Sequence, residues 1–234
     1  IVLPEGKERA LKTSNQAFGV VDGLSIIGTQ AEVQISASPE QLKKCKENLQ
    51  RKCAESTFDG SLTFVIGENG MDLAIKYGFD SHQIFKTGNW LGPLLVVAAE
   101  EGVKRLLLFG YHGKLIKLAG GIFHTHHHLA DGRLEVLSAL ALQQNIPLHL
   151  IDLISQSTSV ENALLALQLM NPDAVALIWG RMAKEIEIKS QSYVNRYLSS
   201  SMEIGSVLFD RKRHIRWAGF QGLKQINSSG LTLK

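Results

Sequence analysis

The sequence is short of the residues and patterns that mark several specialised protein classes. It holds 2 cysteines in 234 residues, too few for the disulfide framework of a secreted domain. No stretch approaches the ~18 apolar residues of a membrane-spanning helix, and no basic-apolar signal peptide is visible. The strict Gly-x-Gly-x-x-Gly fingerprint of dinucleotide-binding proteins is missing as well. These absences favour a cytoplasmic globular protein that does not bind NAD.

The two cysteines lie in one predicted helix, from Pro39 to about Ala54. Their spacing, Cys45 to Cys53, corresponds to roughly 12 Å of helical rise. A disulfide needs Cα atoms within about 7 Å, so we expect two reduced thiols. Neither belongs to a zinc-ligand pair.

The overall composition is that of an ordinary folded chain. Apolar residues make up 44% and charged residues 20%, far from the balance of a disordered protein. The net charge is +3 and the isoelectric point is near 8.8. This mild basic excess is compatible with a polyanionic small molecule, with nucleic acid, or with solubility alone.

A rhythm of strand, glycine turn and helix runs through the first half of the chain. Apolar strands are predicted at 62–66, 83–86 and 104–109, and a glycine turn and a helix follow each of them. This alternation indicates a mostly parallel sheet with helices on both faces, the Rossmann-like α/β class. Ligands of such sheets bind beyond the carboxyl ends of the strands. We therefore expect the turns at Gly67, Gly88 and Gly110 to converge on one edge.

The rest of the chain is predicted to add β-rich ends and a mostly helical middle. Residues 24–36 predict extra strands near the N-terminus, and residues 206–218 predict a β-hairpin with Arg211-Lys212-Arg213 at its tip. We expect a division into an N-terminal β-rich segment with a helix, 1–58, and an α/β domain, 59–234. The middle is predicted to hold a strand at 146–151 and helices at 132–145, at 159–170, from Pro172 or Asp173 onward, and at 182–197.

The segment from Gly110 to Glu135 concentrates glycines, basic side chains, imidazoles and carboxylates directly after the third strand. Glycines in such a turn let backbone approach a ligand closely. Lys114 and Lys117 share a face if a helix starts at Gly113, either as a solvated basic face or as partners for anionic ligand groups. Asp131 and Glu135 lie one helical turn apart, where they could bind a ligand or simply cap a helix.

This segment resembles the CbiD family, whose members methylate cobalt-precorrin-5B at C-1 in anaerobic cobalamin biosynthesis. The resemblance rests on Gly-x-x-Gly-Lys-x-x-Lys-x-Ala-x-Gly-x-Phe-x-Thr-His followed by Ala-Asp-x-Arg-x-Glu. Two further segments are similar to the same family, 19–29 and 88–92. The chain departs from the family pattern at Tyr111 and His112, where a histidine usually follows the first glycine, and at Gly67-Glu68-Asn69-Gly70. Because family members carry a further N-terminal region, we expect the chain to be a fragment.

The resemblance implies an S-adenosyl-L-methionine-dependent methyltransferase acting on a polycarboxylate tetrapyrrole. His126 is the candidate catalytic base because an imidazole titrates near neutral pH. Substrate contacts are assigned to Lys114, Thr125, Asp131 and Arg133. Cofactor contacts are assigned to Gly67, Gly70, Asn89, Gly92 and Gly110.

Other interpretations remain open at this stage. On a strand, His124, His126 and His128 would share a face and could form a three-histidine metal site of a hydrolase. A non-catalytic tetrapyrrole-binding role is a third possibility. Arg211, Lys212 and Arg213 could touch a polyanion or serve solubility, and since no RNA-binding motif accompanies them we expect no nucleic-acid partner. We expect no membrane partner, and homo-oligomerisation is left open.

Overall fold

The structure is a computed structural model that describes residues 4–10, 22–23, 39–126 and 130–231. The chain divides into two compact units, 1–38 and 39–234. In the first unit, helix α1 (Gly6–Ala10) is preceded by Glu5, which accepts a hydrogen bond from Arg9 at 2.8 Å. The extra strands predicted at 24–36 lie outside the described residues.

The second unit alternates strands and helices and then adds a long helical stretch before the last two strands. Its strands are β1 (Ser61–Val65), β2 (Ile84–Lys86), β3 (Arg105–Tyr111), β4 (Glu203–Phe209) and β5 (Ile215–Ala218). Its helices are α2 (Pro39–Cys53), α3 (Gly67–Lys76), α4 (Leu91–Glu100), α5 (His112–Ala119), α6 (Arg133–Gln143), α7 (Leu148–Ser155), α8 (Val160–Met170), α9 (Pro172–Asn195) and α10 (Phe220–Ser228).

The described residues form a five-stranded sheet in the order β2-β1-β3-β4-β5. The first four strands are parallel, and β5 pairs antiparallel with β4 as the predicted hairpin. The chain leaves β1 toward one side for β2 and then crosses to the other side for β3. The order of connection therefore reverses between β1 and β3, and this is the switch point at which open α/β sheets bind ligands.

Side chains alternate between two apolar layers along the central strands. Leu106 and Leu108 of β3 face the larger core, which is shared with α4, α5 and α9, whereas Leu107 and Phe109 face a smaller core shared with α3 and α10. Period-two alternation with both faces buried is the signature of a sheet covered by helices on each side. The predicted fold class is confirmed.

Several local predictions need correction. Residues 146–151 were expected to form a strand but begin α7, because Pro147 precedes a leucine-rich helix that packs on α6 and α8. The glycine turn at Gly67 is already the first turn of α3. The helix predicted at 182–197 is the second half of α9. Residue 58 lies inside the second unit, where α2 packs against α4, and the domain boundary expected after it stays a prediction.

A buried carboxylate joins α9 to the hairpin and to α10. Glu187 accepts hydrogen bonds from the backbone N–H groups of Ser206 at 3.0 Å, Gly222 at 3.0 Å and Gln221 at 3.2 Å. Burial raises the pKa of Glu187, and these hydrogen bonds oppose that shift. Its carboxylate accepts from the first turn of α10, so one side chain fixes where that helix starts.

We predict that Glu187→Ala lowers the free energy of unfolding by about 2–5 kcal/mol, because the buried N–H donors lose their acceptor. Urea denaturation followed by circular dichroism measures this change. Lys189→Ala, at an exposed position of the same helix, is the control and should cost no more than about 0.5 kcal/mol. Equal effects of the two substitutions would contradict the prediction.

Candidate functional site at the carboxyl edge of the sheet

The predicted convergence of the three turns is confirmed. Strand β1 lies between β2 and β3 and runs parallel to both, with Val65 opposite Lys86 on one side and Phe109 on the other. The start of α3, the turn 87–90 and the start of α5 therefore share one edge. Neither α3 nor α5 has a side-chain cap, so their first N–H groups face this edge.

The motif segment folds back onto this edge and contacts the turn after β2. Thr125 donates from its hydroxyl to Asn89 Oδ1 at 3.0 Å and from its N–H to the Asn89 carbonyl at 3.1 Å. Gly92 N–H also donates to the Phe123 carbonyl at 3.1 Å. Asn89 and Thr125, assigned separately to cofactor and substrate, are therefore in direct contact.

Lys117 holds the same motif segment in place through hydrogen bonds. Its side chain is only 2% exposed, and its ammonium donates to the carbonyls of Thr125 at 3.3 Å and of Ala130. Burial lowers the pKa of Lys117, while the charge of Asp131 acts in the opposite direction. Lys117 therefore anchors the loop and does not present its charge to solvent. The shared basic face suggested by its spacing from Lys114 is absent.

Lys114 and Arg133 are the cations of the motif that remain at the surface. Lys114 is exposed, and desolvation by the surrounding protein lowers the pKa of its ammonium. Arg133 forms a two-pronged ion pair with Asp131, Nε to Oδ1 at 2.5 Å and Nη2 to Oδ2 at 2.8 Å. These hydrogen bonds lower the pKa of Asp131. Glu135 is exposed.

The glycines of the site fall into two groups. A Cβ at Gly92 would lie 2.7 Å from Tyr193 Oη, and a Cβ at Gly110 would lie 2.9 Å from Leu115 Cδ1. Gly110 moreover lies inside β3. A Cβ at Gly70 would lie 3.4 Å from Val65 Cβ. At Gly67, with φ +76°, a Cβ would meet nothing within 4 Å. Gly67 therefore borders open space and Gly70 leaves room for a Cβ, whereas Gly92 and Gly110 are required by internal packing.

One histidine of the motif, His124, is placed beside Trp90. The His124 ring lies edge-on to the Trp90 ring at 4.4 Å between centroids, and its centroid is 6.4 Å from that of His126. Burial lowers the pKa of His124, and nearby His126 and Lys117 lower it further. His128 lies outside the described residues. Within 39–126 and 130–231, no three His, Cys, Asp or Glu side chains form a group that could hold a metal ion.

A buried polar cluster at the ends of β3 and β4 was missed by the sequence analysis. His112 is 1% exposed, and its Nε2 lies 3.2 Å from Glu161 Oε2. Burial lowers the pKa of His112 to about 3, and the charges of Arg211 and Arg216 add to this. Glu161 also accepts from Arg211 N–H at 3.3 Å. The departures from the family pattern at Tyr111 and His112 were the signal available in the sequence.

The larger cavities among the described residues lie away from the carboxyl edge of the sheet. A small cavity of about 20 Å³ touches the His112 cluster. Larger cavities of about 310 and 830 Å³ lie at the amino edge of β1 and β3 and between α9, β5 and α10. We place the candidate site at the carboxyl edge nevertheless, because the motif residues and the switch point coincide there.

This combination of fold and site defines a doubly wound α/β protein whose motif residues lie at the switch-point edge of the sheet, with cationic side chains nearby. Among the described helices, none has both the length and the apolar character needed to cross a membrane. Residues 124–219 match the family model of the CbiD C-terminal domain, and residues 1–35 match the CbiD model. The chain belongs to the CbiD family.

Its relatives carry a common name, cobalt-precorrin-5B C(1)-methyltransferase. The chain is 78% identical over its whole length to one from Prochlorococcus marinus strain NATL1A and 77% identical to one from strain NATL2A, and it spans 61% of the length of each. A relative from Synechococcus sp. strain CC9902 is 56% identical over 94% of the chain, which covers 60% of that protein. No solved structure matches the chain.

We predict that Lys117→Met loosens the motif loop, because Thr125 and Ala130 each lose a hydrogen bond to the ammonium. Hydrogen exchange at 121–126 should accelerate by an amount equivalent to about 1–3 kcal/mol of local opening free energy. Lys114→Met removes an equal charge one turn away and should leave this exchange unchanged. Unchanged exchange in both variants would show that Lys117 does not hold the loop.

We predict that His112 makes the free energy of unfolding depend on pH. The folded pKa of His112 is about 3 and its ordinary value is 6.5. As pH falls below 6.5, the unfolded chain takes up this proton first, so stability present above pH 6.5 is progressively lost. Replacing His112 by Phe should remove up to about 1.4 kcal/mol per pH unit from the slope of unfolding free energy.

Urea denaturation between about pH 8 and pH 5 measures that slope. His149→Gln, at an exposed position of α7, is the control and should keep the wild-type slope. If His112→Phe keeps it too, His112 does not remain neutral in the folded protein.

Proposed function

We propose that this chain takes part in S-adenosyl-L-methionine-dependent methylation of cobalt-precorrin-5B at C-1. The products would be cobalt-precorrin-6A and S-adenosyl-L-homocysteine. The observation that carries the proposal is the 78% identity over the whole chain to a relative named for this reaction. The position of the motif residues at the switch-point edge of the sheet also supports the proposal.

The edge fits an adenosine-type cofactor at the start of α3 and in the turn after β2. Gly67 leaves open space where any other residue would place a Cβ, and the uncapped N–H groups of α3 favour polar or anionic ligand atoms. Asn89 adds a side-chain amide whose oxygen is already oriented by Thr125. Gly67 and Asn89 are thus the strongest of the proposed cofactor contacts, whereas Gly92 and Gly110 would act through packing.

When bound, S-adenosyl-L-methionine supplies an electrophilic methyl group. The substrate carbon is itself the nucleophile, so the contribution of the chain is chiefly to hold the two reactants in line. Lys114 and Arg133 would bind substrate carboxylates, with Asp131 orienting the Arg133 fork. Thr125 would position Asn89. His126, at the same edge, would accept a proton if one must leave the ring.

We expect S-adenosyl-L-homocysteine to bind the chain and Asn89→Ala to weaken that binding roughly ten- to hundredfold, as for loss of a well-placed hydrogen bond. Isothermal titration calorimetry measures the affinity. Asn195→Ala, at an exposed position of α9, is the matched control and should bind like the wild type.

Thr125→Val distinguishes direct contact from positioning. It removes the hydroxyl that orients Asn89 but leaves the Asn89 amide in place. The affinity for S-adenosyl-L-homocysteine should therefore fall less than in Asn89→Ala. Unchanged affinity in Asn89→Ala would remove this residue from the cofactor site. Binding by the full-length NATL1A relative but not by this chain would locate the cofactor site outside these residues.

A further inference from the structure

The tip of the β4–β5 hairpin lies across the switch point of the sheet. At the end of β3, Arg211 Nε donates to the Tyr111 hydroxyl at 3.2 Å. Two residues later, Arg213 Nη2 donates to Asn69 Oδ1, and Arg213 Nη1 lies 3.9 Å from Asp72 Oδ2. Asn69 and Asp72 belong to α3, which follows β1. A single turn therefore reaches the carboxyl ends of both strands that border the switch point.

The backbone of this tip is held in place. Asp210 N–H donates to the His214 carbonyl at 3.0 Å, and Asp210 accepts from His214 N–H at 2.9 Å and from Arg213 N–H at 3.0 Å. From outside the turn, buried Glu161 accepts from Arg211 N–H. A turn that is already ordered loses little conformational entropy when it binds a ligand.

The tip is strongly cationic and exposed. Residues 210–216 contain four Lys or Arg and one Asp. Both Arg211 and Arg213 are exposed, whereas the one acid, Asp210, is 7% exposed. Its negative charge therefore supports the turn from inside. Besides Lys212, the cations of the turn 211–213 are two guanidinium groups, and both contact residues at the carboxyl edge.

Tyr111 connects the hairpin tip to the end of β3. Its hydroxyl accepts the hydrogen bond from Arg211 Nε. Burial raises the pKa of Tyr111, while Arg211 acts in the opposite direction.

We propose that the hairpin tip, residues 210–214, forms one wall of the ligand crevice and that Arg211 and Arg213 bind carboxylates of an acidic tetrapyrrole. The inference rests on the proposed function, whose substrate carries several carboxylates. A guanidinium offers parallel N–H donors that match a carboxylate, and it remains charged at all physiological pH values. Tyr111 is a positioning residue that orients Arg211 through its hydroxyl.

Binding of uroporphyrin, an octacarboxylate tetrapyrrole, to the 234-residue chain tests the proposal. The affinity is measured from porphyrin absorbance at low and at high salt. We expect Arg211→Gln and Arg213→Asn each to weaken binding by about tenfold and to reduce its salt dependence. Asparagine is chosen at 213 because Arg213 has φ +64° and asparagine tolerates this conformation.

Two further variants separate charge, geometry and folding. Lys224→Gln removes one charge at the opposite edge, where Lys224 pairs with Glu203 at the start of β4, and it should bind like the wild type. Arg211→Lys keeps the positive charge but lacks the parallel N–H donors of the guanidinium. It should recover part of the porphyrin affinity that Arg211→Gln loses. Thermal unfolding of each variant verifies that it is folded.

The outcomes distinguish the hairpin inference from the proposed function. Wild-type binding that both arginine variants weaken and Lys224→Gln does not weaken supports the inference. Wild-type affinity in all folded variants overturns the hairpin inference and leaves the proposed function standing. Equal weakening by Lys224→Gln also overturns it, because the effect would then be one of net charge. No binding by the wild type counts against both.

Discussion

The parallel pairing of β1 with β3 is the constraint on which the rest of the structure depends. Val65 lies opposite Phe109, so the two strands end together at one edge. Phe109 packs between Phe79 and Phe209 at 5.2 and 5.4 Å between ring centroids, which ties this register to the smaller core. A shift of one residue would turn Phe109 toward the other face of the sheet. Phe109 would then lose its stabilising ring contacts with Phe79 and Phe209. The positions of α3, α5 and the hairpin all follow from this register.

Buried charged groups hold the loops that this register brings together. Lys117, Glu161 and Glu187 each lie inside the protein and hydrogen bond backbone groups of a distant segment. Removing a charge from water is costly unless hydrogen bonds compensate for it, so each of these side chains favours a single loop geometry. The motif loop, the hairpin tip and the start of α10 are therefore fixed by polar anchors. A site made of loops gains from this the rigidity that ligand positioning requires.

The sequence predicted the local elements and the shared edge because both follow from short-range patterns. Apolar runs before Gly67, Gly88 and Gly110 identify strands, and parallel strands place their ends together. The segment 146–151 failed because a short apolar run fits a buried strand and a buried helix equally well; Pro147 and its leucines settle it as α7 only once α6 and α8 are in place. The burial of Lys117 was likewise invisible, since it depends on how the loop returns to Asn89.

The hairpin tip shows most clearly why part of a site escapes sequence analysis. The pairing of β4 with β3 joins Val207 to Phe109 across the whole helical stretch, and no local pattern encodes that contact. Seen alone, Arg211, Lys212 and Arg213 describe a charged turn of the kind that keeps a surface soluble. Once β4 lies beside β3, the same turn reaches Tyr111 and Asn69.

The partners of Arg213 suit exchange for a ligand. Asn69 is neutral, and Asp72 is 3.9 Å away on an exposed surface, where an ion pair contributes little. A ligand carboxylate could therefore displace them at small cost. By contrast, Arg133 is held by a two-pronged pair with Asp131, and displacing that acid would cost more. Arg213 can thus respond to an arriving acidic ligand, while Arg133 is already oriented before it arrives.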